Sequence, residues 1–234
     1  MPLPSAHGEL PGQMYERLRE LIIRGRLPAG ARAVEAEIAV RFGVSRTPVR
    51  EALARLHHEG YLAAKNLGRR TQLIVAPLTI EQMRELWRVI GALEGLVIEF
   101  VSCLGAARRR QIARELEELN DALERVSAAR PRNADDVFDA QIKFHERFIS
   151  EYDGPVVLSL YRTVRPQVER YEWAYGAESE AELAPSAGEH RKIIDAVRSG
   201  DAHRARAAVE AHWANALTRT SAVISRILGK PRAP

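Results

Sequence analysis

Residues 43–60 constrain the fold more tightly than any other part of the chain. They read Gly43-Val44-Ser45-Arg46-Thr47-Pro48-Val49-Arg50-Glu51-Ala52-Leu53, continue through Leu56, and stop at Glu59-Gly60. This is a short helix bracketed by glycines. Ser45 is an N-cap candidate whose hydroxyl can accept a backbone N–H from the next turn. Pro48 falls in the first turn, where its missing N–H costs nothing. Val49, Leu53 and Leu56 recur at helical spacing and face inward, and Gly60 supplies the left-handed residue that ends the helix. Arg46 and Arg50 are four apart and project from one face.

The flanks complete a unit around this helix. A first helix is predicted over Leu10–Arg24, with Met14, Leu18, Leu21 and Ile22 on one face, and a second over Glu35–Phe42, with Ile38 and Ala39 inward. Two strands are predicted at Tyr61–Ala64 and Thr71–Val75, joined by the basic turn Lys65-Asn66-Leu67-Gly68-Arg69-Arg70. Three helices followed by a basic-tipped hairpin make a winged helix-turn-helix. Charge agrees: residues 1–76 carry twelve Lys+Arg against seven Asp+Glu, whereas residues 77–234 carry 23 against 24. A recognition helix lies in the major groove with its N-terminal residues at the base edges. Here those residues are Ser45, Arg46, Thr47 and Arg50, and arginine suits the paired acceptors of guanine. In the wing, Gly68 lets the backbone approach the duplex, and Arg69 and Arg70 can neutralise phosphates or enter the minor groove.

From Pro77 onward the pattern is helical, so the fold class expected is mainly α: residues 1–76 as the winged helix-turn-helix and residues 77–234 as an all-α antiparallel bundle. Helices are predicted from Thr79 (capping box Thr79–Gln82) to about Leu104, Ala106 to Ala128, Asn133 or Asp135 to about Glu151, Pro155 to about Tyr175, Ser186 to Gly200 and Asp201 to about Leu228. Ser186-Ala187-Gly188-Glu189 is read as a second capping box and Ala177–Pro185 as loop. Cys103, the single cysteine, sits in an apolar run and is expected to be buried. No apolar stretch is long enough to cross a bilayer, and the N-terminus lacks a basic and apolar leader, so a cytoplasmic protein is expected.

The motifs resemble a known family. Pro28-Ala29-Gly30, Glu35-Ala36-Glu37-Ile38-Ala39, Gly43 through Leu53, and Glu59-Gly60-Tyr61-Leu62 are similar to the GntR family of bacterial regulators. The resemblance implies that Arg46 and Arg50 contact DNA and that a dimer binds a short palindromic operator. Some members carry an arginine on the second helix where this chain has Ala36.

Three histidines stand on largely apolar helix faces: His145 after Phe144, His190 after Glu189, and His212 before Trp213. A single histidine of this kind is ordinarily a hydrogen-bonded core residue; three on separate helices point to a metal, because imidazole is a common ligand. Leu93-Glu94, Phe144-His145, Glu189-His190, Ile193-Ile194-Asp195-Ala196, Gly200-Asp201 and His212 resemble the ligand-binding domain of the FadR subfamily, the FCD type. That resemblance implies a divalent metal, zinc or nickel, on His145, His190 and His212, and a small organic acid as effector. Two positions depart from the pattern. Gln141 stands where an aspartate is usual, leaving a weaker neutral fourth ligand, and Asp139 is wrongly spaced to replace it. Ile90 stands where an arginine is common. Arg88, Arg162 and Arg165 are candidate replacement cations for the effector, with Glu94 beside them.

The expectation is therefore a ligand-responsive, homodimeric transcription regulator. Two other readings use the same residues: a regulator that senses the metal itself or nothing at all, and a three-histidine metalloenzyme. Against the enzyme, no nucleophile–base motif or general base accompanies the histidines.

Overall fold

The computed structural model describes residues 10–68, 70–178 and 184–229. Backbone contacts divide the chain into two compact units, Met1–Leu78 and Thr79–Pro234.

In the first unit, α1 (Leu10–Ile23), α2 (Glu35–Phe42) and α3 (Arg46–His58) pack around Met14, Leu18, Ile38, Val49, Leu53 and Leu56, all buried. Gly43 ends α2 at φ 66°, which lets its own N–H and that of Val44 fold back onto Val40 and Ala39. The strands β1 (Leu62–Leu67) and β2 (Arg70–Val75) pair antiparallel from Leu62↔Val75 to Leu67↔Arg70. That register leaves a two-residue connection opening on Gly68, at φ 65°, as a tight hairpin requires. The wing is thus longer than the sequence pattern predicts. Lys65 and Asn66 lie in the strand rather than the turn, because polar pairs such as Asn66–Thr71 continue the ladder on its exposed face. The segment after α1 also joins this sheet: Ala33 N–H donates to Leu73 and Val75 N–H to Ala31.

The second unit is an all-α bundle of α4 (Ile80–Ser102), α5 (Ala106–Ala128), α6 (Ala134–Ile149), α7 (Pro155–Glu178), α8 (Ala184–Ser199) and α9 (Ala202–Gly229). α4 packs chiefly on α9, with α5 against α8 and α6. The Thr79 hydroxyl caps α4 by accepting from Gln82 N–H at 3.2 Å, but the capping box closes through a third residue. Thr79 N–H donates to Tyr171 Oη, which in turn donates to Gln82 Oε1. Asn133 caps α6, Pro155 opens α7, and Asp201 caps α9 by accepting from Arg204 N–H.

Three expectations for the helical unit are corrected as well. Ser186 does not cap α8, which already begins at Ala184; its hydroxyl instead accepts from Arg219, and Glu189 is drawn to α9. α7 continues to Glu178, past the expected stop near Tyr175, and residues 179–183 of the predicted loop lie outside the described residues. Cys103 is exposed, because α4 ends at Ser102 and the next turn carries Cys103 off the buried face.

The junction between α8 and α9 sets His190 against His212. Gly200 turns there at φ 79°, and an added Cβ would meet the Arg109 guanidinium at 2.6 Å. Gly200→Ala is expected to destabilise the helical unit by about 1–2 kcal/mol from the left-handed backbone alone. Urea unfolding of the variant against the wild type measures it.

Candidate DNA-reading surface and metal centre

α3 divides cleanly into a buried and an exposed face. Pro48, Val49, Ala52, Leu53 and Leu56 are buried, whereas Ser45, Arg46, Thr47 and Arg50 are exposed. Ser45 occupies the N-cap position but makes no capping bond. The reason is local: an N-cap hydroxyl bonds the N–H of the second or third helical residue, and the third here is Pro48, which has none. The hydroxyl therefore stays on the exposed face beside Arg46 and Thr47.

The far end of α3 is tied down by contacts that the sequence pattern did not reveal. Tyr15 of α1 donates to Glu59, the Arg55 guanidinium lies 3.6 Å from the Tyr15 ring centroid, and Arg55 Nε donates to Glu59 Oε1 at 2.8 Å. The spacing of Arg55 and Glu59 was the only signal in the sequence; their partner on α1 was not predictable from it. In the wing, Gly68 is exposed at the tip; Arg69 and the side chain of Arg70 lie outside the described residues.

In the helical unit, α6, α8 and α9 bring His145, His190 and His212 together, with one ring nitrogen of each lying within 4.8 Å of the others. All three are buried. Each Nδ1 has a polar partner: Glu94 for His145 at 2.8 Å, Asn120 for His190 at 3.0 Å, and Glu189 for His212 at 2.9 Å. Carboxylates only accept, so Nδ1 carries the proton in His145 and His212. Asn120 donates its amide to Ala187 O, so its oxygen faces His190 and accepts likewise. In their neutral form all three imidazoles would therefore present the Nε2 lone pair, the arrangement found around metal-bound histidines. His190 Nε2 is buried with no hydrogen-bond partner, and so is Gln141 Oε1 one turn before His145 on α6. Orphaned buried acceptors of this kind fit a cation.

The electrostatics favour neutral His190 and His212 among ionised acids. Burial, then the neighbouring imidazoles, hold His190 well below the ordinary histidine range. Burial also lowers His212, against the opposing pull of Glu189. For Glu94, burial pushes upward, but His145, Arg165 and the Trp213 N–H outweigh it and keep the carboxyl below its usual range. Glu189 is likewise pushed up by burial yet held at about 2 by bonds from His212 and Arg219.

The candidate effector residues are placed unevenly. Glu94 is fully buried, with one oxygen accepting from both His145 and Trp213. Arg165 is buried on α7, 2.9 Å from Glu172 and 3.4 Å from Glu169. Arg88 and Arg162 are exposed and are not brought to the histidines. Each comes directly after a buried aromatic, Trp87 or Tyr161, and the next helical residue is rotated by about 100° out of the core. Ile90 is fully buried. A cavity of about 40 Å³ adjoins the cluster, lined by His212, Gln141, Glu172, Arg219, Trp87 and Trp213 among others. That is room for roughly three waters.

Comparison with known proteins agrees with this architecture. The profile described as "Bacterial regulatory proteins, gntR family" matches residues 10–70, and that of the FCD domain matches residues 81–215. A probable D-xylose utilization operon transcriptional repressor of Paenarthrobacter nicotinovorans is 31% identical over 202 residues, covering 86% of this chain and 84% of its own. The uncharacterised HTH-type regulator YdhC of Bacillus subtilis is 28% identical, with 86% of each chain covered. Among solved structures, McbR/YncC of E. coli superposes with a TM-score of 0.72 at 19% identity over 96% of this chain and 100% of that one. A GntR regulator from a Rhodococcus species gives 0.67 at 24% identity, covering 95% and 99%. Among the described residues no helix is long and apolar enough to cross a membrane. A DNA-binding unit of one kind joined to a helical unit of the other leaves a single assignment: the chain belongs to the GntR family of bacterial transcriptional regulators, with an FCD domain, and is not an enzyme.

Proposed function

We propose that this regulator binds a palindromic operator as a homodimer in the cytoplasm and is switched by a small molecule held in a metal-containing helical domain. The observation that carries the DNA reading is the exposed row Ser45, Arg46, Thr47 and Arg50 on a helix whose opposite face is locked into the core. Gly68, Arg69 and Arg70 of the wing add backbone contacts. One helix with two reading arginines spans only a few base pairs, so two copies are needed for a specific site. In vitro selection of bound duplexes tests this: two inverted half-sites about one helical turn apart are expected, and a single asymmetric site would sink the reading.

The surface supports a second copy as the partner. Val89, Leu96 and Phe100 of α4 and Val156 and Leu160 of α7 make up five of the six exposed large apolar side chains among the described residues. The α4 positions repeat at helical spacing, and such a concentrated patch marks an interaction face. Leu96→Glu is expected to give a monomer by light scattering and to weaken operator binding; an unchanged dimer removes this face from the interface.

For the metal, zinc or nickel, His145, His190 and His212 supply three neutral nitrogens, with Gln141 as a fourth, weaker donor. Charge supports a dication despite the neutral Gln141. Two carboxylates, Glu94 and Glu189, accept directly from His145 and His212, and Arg219 pairs with Glu189. When bound, a divalent ion supplies an open, Lewis-acidic position for an oxygen of an anionic effector. The effector must bind two arrangements of the dimer with different affinity, or it switches nothing. Asn120→Ala removes the anchor of His190 and is expected to weaken metal binding about 10–100-fold. Competition with a chelator measures it, and an unchanged affinity would show that Asn120 does not orient the ligand.

A further inference from the structure

The atoms that converge on the histidine centre carry no negative charge. The group within 4.8 Å is made of His145, His190 and His212, and no carboxylate of the described residues joins it. Gln141 adds an amide. It stands one turn before His145 on α6, lines the cavity together with His212, and its buried Oε1 has no hydrogen-bond partner. Asp139 is no substitute, since two residues along a helix turn a side chain by about 200°. Glu94 and Glu189 accept on the far side of the rings, at Nδ1 of His145 and His212. A carboxylate separated from an ion by an imidazole is about three times as far away as one that ligates it, so its attraction is about a third as strong. Each is also shared, Glu94 with the Trp213 N–H and Glu189 with Arg219.

A buried charge is costly until an opposite charge meets it, and the three histidines are at most 3% exposed, so water gives little relief. The place for an opposite charge is the adjoining cavity of about 40 Å³. Its charged lining residues are already engaged, Arg219 with Glu189 and Glu172 with Arg165 at 2.9 Å. We infer, on the reading of the histidines as a metal site, that Gln141 makes the ion and a small anion depend on each other. Each tightens the hold on the other, and the regulator responds to the pair. The amide leaves to the effector the charge that a carboxylate at position 141 would supply from within the protein. The dependence is reciprocal: the factor by which the anion raises metal affinity is the factor by which the metal raises anion affinity. An uncharged ligand of the same shape has no such effect.

The test uses the full-length protein, free of a histidine tag and stripped of metal by a chelator. Zn²⁺ affinity is measured by competition with a metal-binding dye under rising acetate or lactate, with ionic strength held constant by perchlorate. Acetamide is the uncharged control. At least one of the two anions is expected to tighten Zn²⁺ binding by about 5–150-fold, the usual range of coupling between sites, and acetamide to leave it unchanged. Gln141→Asp should bind Zn²⁺ more tightly than the wild type when no anion is present, and should lose the dependence on one. Gln141→Ala, as neutral as the wild type, should keep that dependence. The inference is overturned if both anions act by less than about fivefold, if acetamide matches them, if Gln141→Asp keeps the dependence, or if Gln141→Ala loses it. The wild-type titrations stand even if a variant fails to fold. Zn²⁺ binding that ignores anions sinks the interdependence alone. Zn²⁺ bound equally well by His212→Ala sinks the metal reading beneath it.

Discussion

Arg46→Ala is expected to weaken operator binding by about 30-fold at the least and about 2 × 10⁴-fold at the most, because a bidentate arginine–guanine pair discriminates by roughly 1–3 kcal/mol in each of two half-sites. The same substitution should change affinity for a scrambled duplex by less than about tenfold, since phosphate contacts dominate non-specific binding. Fluorescence anisotropy on both duplexes separates the two effects. The side chain is exposed, so the loss cannot come from a damaged core, and a normal melting curve confirms that control. Arg50→Ala should follow the same pattern. Operator affinity that survives Arg46→Ala would remove the N-terminal turn of α3 from the base-reading surface. Raising salt from 50 to 200 mM should weaken wild-type binding by about 10³-fold or more if the dimer makes six or more phosphate contacts.

The second large effect concerns the histidines. Protein purified without a histidine tag is expected to carry about one divalent ion per chain, and His145→Ala or His212→Ala to lose it, because three protein ligands are the least that hold a metal with an open position. Elemental analysis gives the answer directly. Trp213 offers a second readout: its ring centroid lies 5.2 Å from that of His145 and 5.4 Å from that of His212. Adding Ni²⁺ to chelator-treated wild type should therefore quench tryptophan fluorescence, and adding it to His212→Ala should not. Metal at 100 times its dissociation constant should also stabilise the fold by about 2.7 kcal/mol. Metal content untouched by both histidine substitutions would show the site to lie elsewhere.

Much of this was legible in the chain because it depends on local chemistry. The helix α3 announces itself through Gly43, Pro48, the Val49/Leu53/Leu56 stripe and Gly60, each acting within a few residues of its place. The caps at Thr79, Asn133 and Asp201 formed for the same reason. Where local rules compete, sequence reasoning misjudged the outcome. Ser45 has the right type and position for a cap, yet Pro48 withholds a donor it would use. Ser186 and Glu189 have capping-box spacing, yet Arg219, thirty residues on, draws Glu189 away. Cys103 comes after an apolar run, yet the end of α4 turns it outward.

Two units, a helix with an exposed arginine face and three histidines in apolar settings could thus be read from the chain alone, because helix periodicity, glycine stops and family motifs are written in short stretches. How the histidines are presented, and what surrounds them, came from packing. Glu94, Asn120 and Glu189 arrive from three other places in the chain to fix every Nδ1, and this turns three core imidazoles into a set of converging lone pairs. Packing also decided which of the candidate arginines are buried. Arg165 is enclosed with its carboxylates while Arg88 and Arg162 face solvent, since one step along a helix rotates a side chain from core to surface. Hydrogen-bond partners separated by 23 to 70 residues exist only once the helices have come together.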